Sequence, residues 1–93
     1  MEKKTRTIHE LKTDHDVFEE SWRGKKKWEI RFNDRNYQVG DWIRLNETAY
    51  TGEEMKAGKP LEYTGREITF EIEFIFRGPQ YGLKDGWVIM SVC

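Results

Sequence analysis

Lys26, Glu29 and Arg31 lie close together in the run Gly24 to Asp41, GKKKWEIRFNDRNYQVGD, and the polar corner Asn33-Asp34-Arg35 follows at once. A cation, a carboxylate and a guanidinium at this spacing suit two chemistries. Lys26, Arg31 and Arg35 can hold phosphate while Glu29 accepts from a base edge, with Asn33 and Asp34 as further candidate ligand-binding residues. Alternatively, Glu29 can act as general base for a water while Lys26 stabilises developing negative charge. Trp42 and Tyr63 are the aromatic candidates for stacking on a base.

These side chains are only as useful as the elements that hold them. Trp28-Glu29-Ile30-Arg31-Phe32 alternates with a period of two, which predicts a strand. The alternation puts Trp28, Ile30 and Phe32 on the face expected to be the core, and Lys27, Glu29 and Arg31 on the opposite one. Lys26 shares parity with Trp28, so it reaches the polar face only if the strand begins near Lys27. Asn33 to Asn36 carries turn chemistry, because Asn and Asp close local side-chain to backbone bonds. Val39-Gly40-Asp41 leads into a strand over Trp42–Glu47, with Ile43 and Leu45 inward and Trp42 and Arg44 outward.

The remaining elements follow in chain order. Thr5 to Lys12 reads as a short strand anchored by Ile8 and Leu11. Thr13 or Asp14 can cap a helix over His15–Arg23, whose apolar face is Val17, Phe18, Ser21 and Trp22. Gly24 ends it, at the place where a left-handed residue is expected. The connection from Thr48 to Gly65 has room for a short helix at Glu53–Ala57. Arg66–Arg77 alternates strongly, with Ile68, Phe70, Ile72, Phe74 and Phe76 on one face, Thr69, Glu71 and Glu73 on the other, and Ile75 as an exception. Trp87–Val92 is apolar on both faces and reads as a central strand. Five strands with one or two short helices make a mainly β protein, expected to curl into a small antiparallel barrel.

Composition bounds the setting. Ninety-three residues make one domain. Charged residues are 35% and apolar ones 37%, with a formal net charge of -1, so bulk charge selects neither nucleic acid nor membrane. The distribution is more telling. Six basic residues stand against two acids between Arg23 and Arg35, whereas eight acids stand against five basic residues from Asn46 onward. That asymmetry favours an anionic ligand near the central stretch. The single Cys93 is the last residue, which excludes an intramolecular disulfide and a cysteine metal site. His9 and His15 have no spacing that gathers carboxylates around them, so no metal and no cofactor is expected. No apolar run nears the roughly 18 residues of a membrane span, and the charged start lacks a secretory core. A cytoplasmic protein is expected.

The ordered set His9-x-Leu11-Lys12, Trp22-x-Gly24 and Gly24-x-Lys26-x-x-Glu29-x-Arg31 resembles an ASCH domain. The continuation Asn33-Asp34-Arg35, Val39-Gly40-Asp41, Tyr63-Thr64-Gly65 and Val88-Ile89-Met90-Ser91 is similar to a short bacterial and phage family related to ASCH domains and described as a domain of unknown function. The likeness runs from about Ile8 to Val92. It implies a PUA-like barrel and a basic and polar cleft beside it that binds single-stranded RNA or a nucleotide. Some small ASCH members hydrolyse acetylated cytidine with a Lys, a Thr three residues later and a distant Glu. Lys26 matches the Lys, but Glu29 occupies the Thr position, which removes the hydroxyl nucleophile. The sequence therefore favours a binding module. The alternatives are a small hydrolase of a modified nucleoside using Lys26 and Glu29, and a protein-interaction domain in which Glu29 and Arg31 merely pair.

Overall fold

The computed structural model describes residues 6–93. They form five strands and two helices: β1 (Ile8–Asp14), α1 (His15–Trp22), β2 (Trp28–Phe32), β3 (Trp42–Thr48), α2 (Gly52–Lys56), β4 (Tyr63–Arg77) and β5 (Trp87–Val92). The mainly β class with two short helices is as the periodicity predicts. The strands are hydrogen-bonded in the order β1-β3-β4-β5-β2, so β1 and β2 are the edges of an open sheet rather than neighbours in a closed barrel. The expected start of the first strand at Thr5 lies outside the described residues.

The chain divides into two compact units. Among the described residues the first comprises 6–9, 27–43 and 70–93, and the second comprises 10–26 and 44–69. Strands β1, β3 and β4 contribute residues to both.

In the first unit β5 pairs antiparallel with β2 on one side and β4 on the other. Side chains directly opposite one another in such a ladder share a face. Glu29, Met90 and Ile75 therefore form one row on the inner face, and Arg31, Val88 and Arg77 the next. Val88, Met90 and Val92 are buried there, with Ile72. The outer face carries the rows Trp28–Ser91–Phe74 and Ile30–Ile89–Phe76, then Phe32 beside Trp87.

Two expectations fail here for definable reasons. Trp28, Ile30 and Phe32 are not core: they are 46%, 44% and 52% exposed, while Glu29 is 3% exposed. The period of two is right, but the faces are exchanged. In β4, Ile72 opposes Val92 whereas Phe74 opposes Ser91, so one extra residue bulges between them. A bulge moves every later side chain to the other face. Ile72 is accordingly fully buried, Phe74 is 60% exposed, and Ile75, the exception in the pattern, turns inward opposite Met90.

In the second unit α1 buries Phe18 and Ser21, but Val17 and Trp22 of its expected apolar face stay exposed. Gly24 ends the helix with φ +75, and its N–H bonds the Ser21 carbonyl at 3.0 Å. Asp14, the residue before α1, turns its carboxylate elsewhere: Oδ1 accepts the Gly52 N–H at the start of α2. That second helix carries a capping box, in which Thr51 Oγ1 accepts the Glu54 N–H and Glu54 Oε1 accepts the Thr51 N–H. Leu11 and Leu45 are buried in this unit, with Thr13, Glu47 and Thr48.

Candidate functional site

The exchange of faces on β2 carries polar groups into the first unit's interior. Arg31 Nε and Nη2 both donate to Glu29 Oε1, at 3.2 and 3.1 Å. The arginine side chain keeps 27% of its surface in solvent, against 4% for the glutamate. Arg31 and Arg77 stand on either side of Val88 in one inner row. Their backbones are thus about 10 Å apart across two strand spacings.

The corner after β2 is held by its own polar groups. Asn33 N–H bonds the Gly86 carbonyl at 2.8 Å, and Asn33 Oδ1 accepts the Tyr37 N–H at 3.0 Å. Asn36 adopts φ +52, within the reach of an asparagine. Tyr37 then enters the interior and is 1% exposed. Burial raises its phenol pKa above the ordinary value, partly opposed by the charges of Arg31 and Arg35.

The His9 ring meets the Tyr37 ring edge-on at 4.7 Å, and His9 Nε2 lies 2.9 Å from Asp41 Oδ2. Asp41 also accepts the backbone N–H groups of Gln38 and Thr7, at 3.2 and 3.4 Å. Burial works to raise the Asp41 pKa, but the His9 hydrogen bond and the two backbone donors outweigh it, and the net shift is downward.

A pocket of about 210 Å³ opens where β4 and β5 are joined, lined by Asn33, Arg77, Gly78, Asp85, Gly86, Trp87 and Val88. Its polar groups are complementary in kind. Arg77 offers a fork of donors, Asn33 an amide and Asp85 an acceptor. Among the described residues, Arg77 makes no side-chain ion pair.

The residues singled out in the sequence are not all brought together. Glu29, Arg31, Asn33, Asp34, Arg35 and Trp42 belong to the first unit; Lys26 and Tyr63 belong to the second. Of the six, only Asn33 lines the pocket. Asp34 and Arg35 are exposed and face each other at 3.8 Å. Trp42 already carries the Arg6 guanidinium 5.6 Å from its ring centre. Lys26 precedes β2, and its N–H bonds the Glu20 carbonyl at 3.1 Å. Tyr63 opens β4 and is 54% exposed. Within the basic excess between Arg23 and Arg35, Arg23, Arg31 and Arg35 pair with Glu19, Glu29 and Asp34. Arg77, Asp85 and Trp87 were missed. Their only signal in the sequence is position, at the two ends of a Gly-flanked loop.

The second unit has a separate charged cluster. Arg66 bonds Glu47 through Nε (3.0 Å) and Nη2 (2.8 Å), and Glu19 through Nη2 (2.8 Å). Thr64 Oγ1 donates to Glu47 Oε1 at 2.6 Å. The Arg66 guanidinium lies 5.2 Å from the Phe18 ring centre and 5.1 Å from that of Trp22. Arg66 holds the carboxyls of Glu47 and Glu19 below their ordinary pKa, with help from Thr64 at the first and Arg23 at the second. Every group in this cluster is answered by another, which is the pattern of a structural clasp.

Among the described residues no three His, Cys, Asp or Glu side chains are placed to hold a metal ion, and no helix is long and apolar enough to cross a membrane. A family model described as "Domain of unknown function (DUF3850)" matches residues 8–92. No curated protein matches the chain.

Proposed function

The chain belongs to the DUF3850 family, a domain of unknown function, and from its own geometry we propose that it is a binding module for an unpaired RNA base or a nucleotide. The observation that carries the reading is the pocket in which Arg77, Asn33, Asp85 and Trp87 meet. Unpaired bases are recognised by aromatic faces together with donors and acceptors at the base edge. In this reading the Arg77 guanidinium supplies a planar face and a phosphate contact, and Asn33 and Asp85 supply the edge contacts. A volume of about 210 Å³ suits one base rather than an extended oligonucleotide. Arg31, in the same inner row as Arg77, adds positive charge behind the pocket. The resemblance to ASCH domains and their PUA-like relatives belongs to this reading, as does a cytoplasmic setting.

The test is binding of mononucleotides and short single-stranded RNA, followed by Trp fluorescence and by anisotropy of a labelled strand. Arg77→Ala and Asp85→Ala are expected to weaken binding by about tenfold or more, and affinity should fall as salt is raised. Arg23→Ala, in the second unit, should leave binding unchanged. Affinities that ignore both Arg77 and Asp85 would refute the proposal.

A further inference from the structure

We infer that the outer face of β2, β5 and β4 is the interface of a homodimer, occupied by the same face of a second copy of this chain. On the outer rows of these three strands, seven of eight positions are apolar and the eighth is Ser91. Five large side chains are left in solvent: Phe74 at 60%, Phe32 at 52%, Trp28 at 46%, Ile30 at 44% and Trp87 at 37%. Scattered exposed apolar residues are ordinary, but a contiguous patch of this kind marks an interaction surface.

The area fits this occupant. Large apolar side chains offer on the order of 200 Å² each, so these fractions leave roughly 500 Å² of patch per chain. Two facing copies would remove roughly 1,000 Å², where specific interfaces begin. The face also has the property that a two-fold interface demands, since it must be complementary to itself. A charged surface is not; a neutral apolar one is. No Lys, Arg, Asp or Glu stands on the eight positions. Face-to-face packing of two antiparallel sheets, with inner rows interdigitating, is a common way to bury such surfaces.

The test is sedimentation velocity of the full chain over a dilution series into the high micromolar range. The expected result is a concentration-dependent species of twice the single-chain mass. Phe74→Glu and Ile30→Lys should each weaken it by more than about tenfold, since each would bury an unpaired charge. Leu61→Lys, at an exposed position off this face, should leave it unchanged. Far-UV circular dichroism establishes that the substituted chains fold. Should either fail to fold, the unsubstituted chain decides: NMR shifts on dilution confined to β2, β4 and β5 support the dimer, and shifts elsewhere overturn it. A chain that stays monomeric throughout overturns it too, including one whose apolar face instead takes an RNA oligonucleotide or a lipid vesicle. So does a dimer that both face substitutions leave intact.

Discussion

Arg31 closes on Glu29 from two residues along the same strand, its Nε and Nη2 both donating to the one carboxylate oxygen Oε1. The pair turns an inward polar position on β2 from a cost into a satisfied group. Removing one partner of a buried pair leaves the other charge without its answer, whereas removing both with apolar groups of similar size is far milder. Glu29→Ala is expected to lower stability by roughly 2 kcal/mol, moderated by the partial exposure of Arg31. Glu29→Leu combined with Arg31→Leu should recover most of that loss. Urea unfolding of the three chains measures this, and equal losses in the single and double variants would contradict it.

Glu47 and Arg66 give the second unit a pH dependence whose sign is fixed. The Arg66 and Thr64 hydrogen bonds hold the Glu47 pKa below its unfolded value. A carboxyl with a depressed pKa contributes stability that is complete above the unfolded value, about 4.3 for glutamate, and is lost as pH falls through the folded one. Glu47→Gln should therefore be less stable than the unsubstituted chain at neutral pH, by roughly 1–2 kcal/mol. The gap should narrow below about pH 4.3. Melting temperatures of both chains, from neutral pH into the acid range, measure it. A gap that widens in acid would exclude the pair as its source.

Local signals placed most of the fold. The span of α1 followed from its cap position and Gly24, and α2 from the turn residues around Glu53. The ends of β2 followed from alternation and those of β5 from its continuous apolar run, because both are local properties. What a period of two cannot say is which face is inside. On β2 the apolar set Trp28-Ile30-Phe32 was assigned to the core by type, but Glu29 brings its own partner and goes in instead. The bulge before Phe74 was equally hidden, since it is a property of pairing with β5 rather than of β4 itself. The pocket escaped for a related reason. Asn33 was legible from its turn chemistry, but Arg77, Asp85 and Trp87 join it only once β5 has paired with both β2 and β4.

Asp41 is the common acceptor for His9 and for the backbone of Thr7 and Gln38. A carboxylate only accepts, so the His9 nitrogen facing it, Nε2, must carry a proton. Long-range ¹⁵N–¹H NMR correlations are expected to find that nitrogen protonated. Asp41→Ala strands three donors at a 7% exposed site and should cost roughly 2–4 kcal/mol, whereas Asp41→Asn keeps one accepting oxygen and should cost less. The depressed Asp41 pKa adds a sign: its contribution is complete above about pH 3.9 and is lost below. Denaturant unfolding at neutral and acid pH separates the variants, and equal losses for Ala and Asn would rule out the acceptor role.

Gly86, which lines the pocket, leaves little room for a side chain beside Phe32. A Cβ at Gly86 would lie 2.8 Å from Phe32 Cε1, and Gly86 itself sits at φ +86. Two separate costs therefore attach to Gly86→Ala. One is backbone strain of about 1 kcal/mol for a non-glycine residue in the left-handed region. The other is displacement of an aromatic ring that is 52% exposed and free to yield outward. Because Phe32 can move, the steric part should be the smaller, and the total about 1–2 kcal/mol. Shortening the ring in Phe32→Ala removes the clash and leaves the strain. In a double-mutant cycle Gly86→Ala should thus cost less in the Phe32→Ala background, though still more than zero. Thermal or urea unfolding of the four chains closes the cycle. An unchanged cost in the two backgrounds would assign the whole effect to φ and none to the ring.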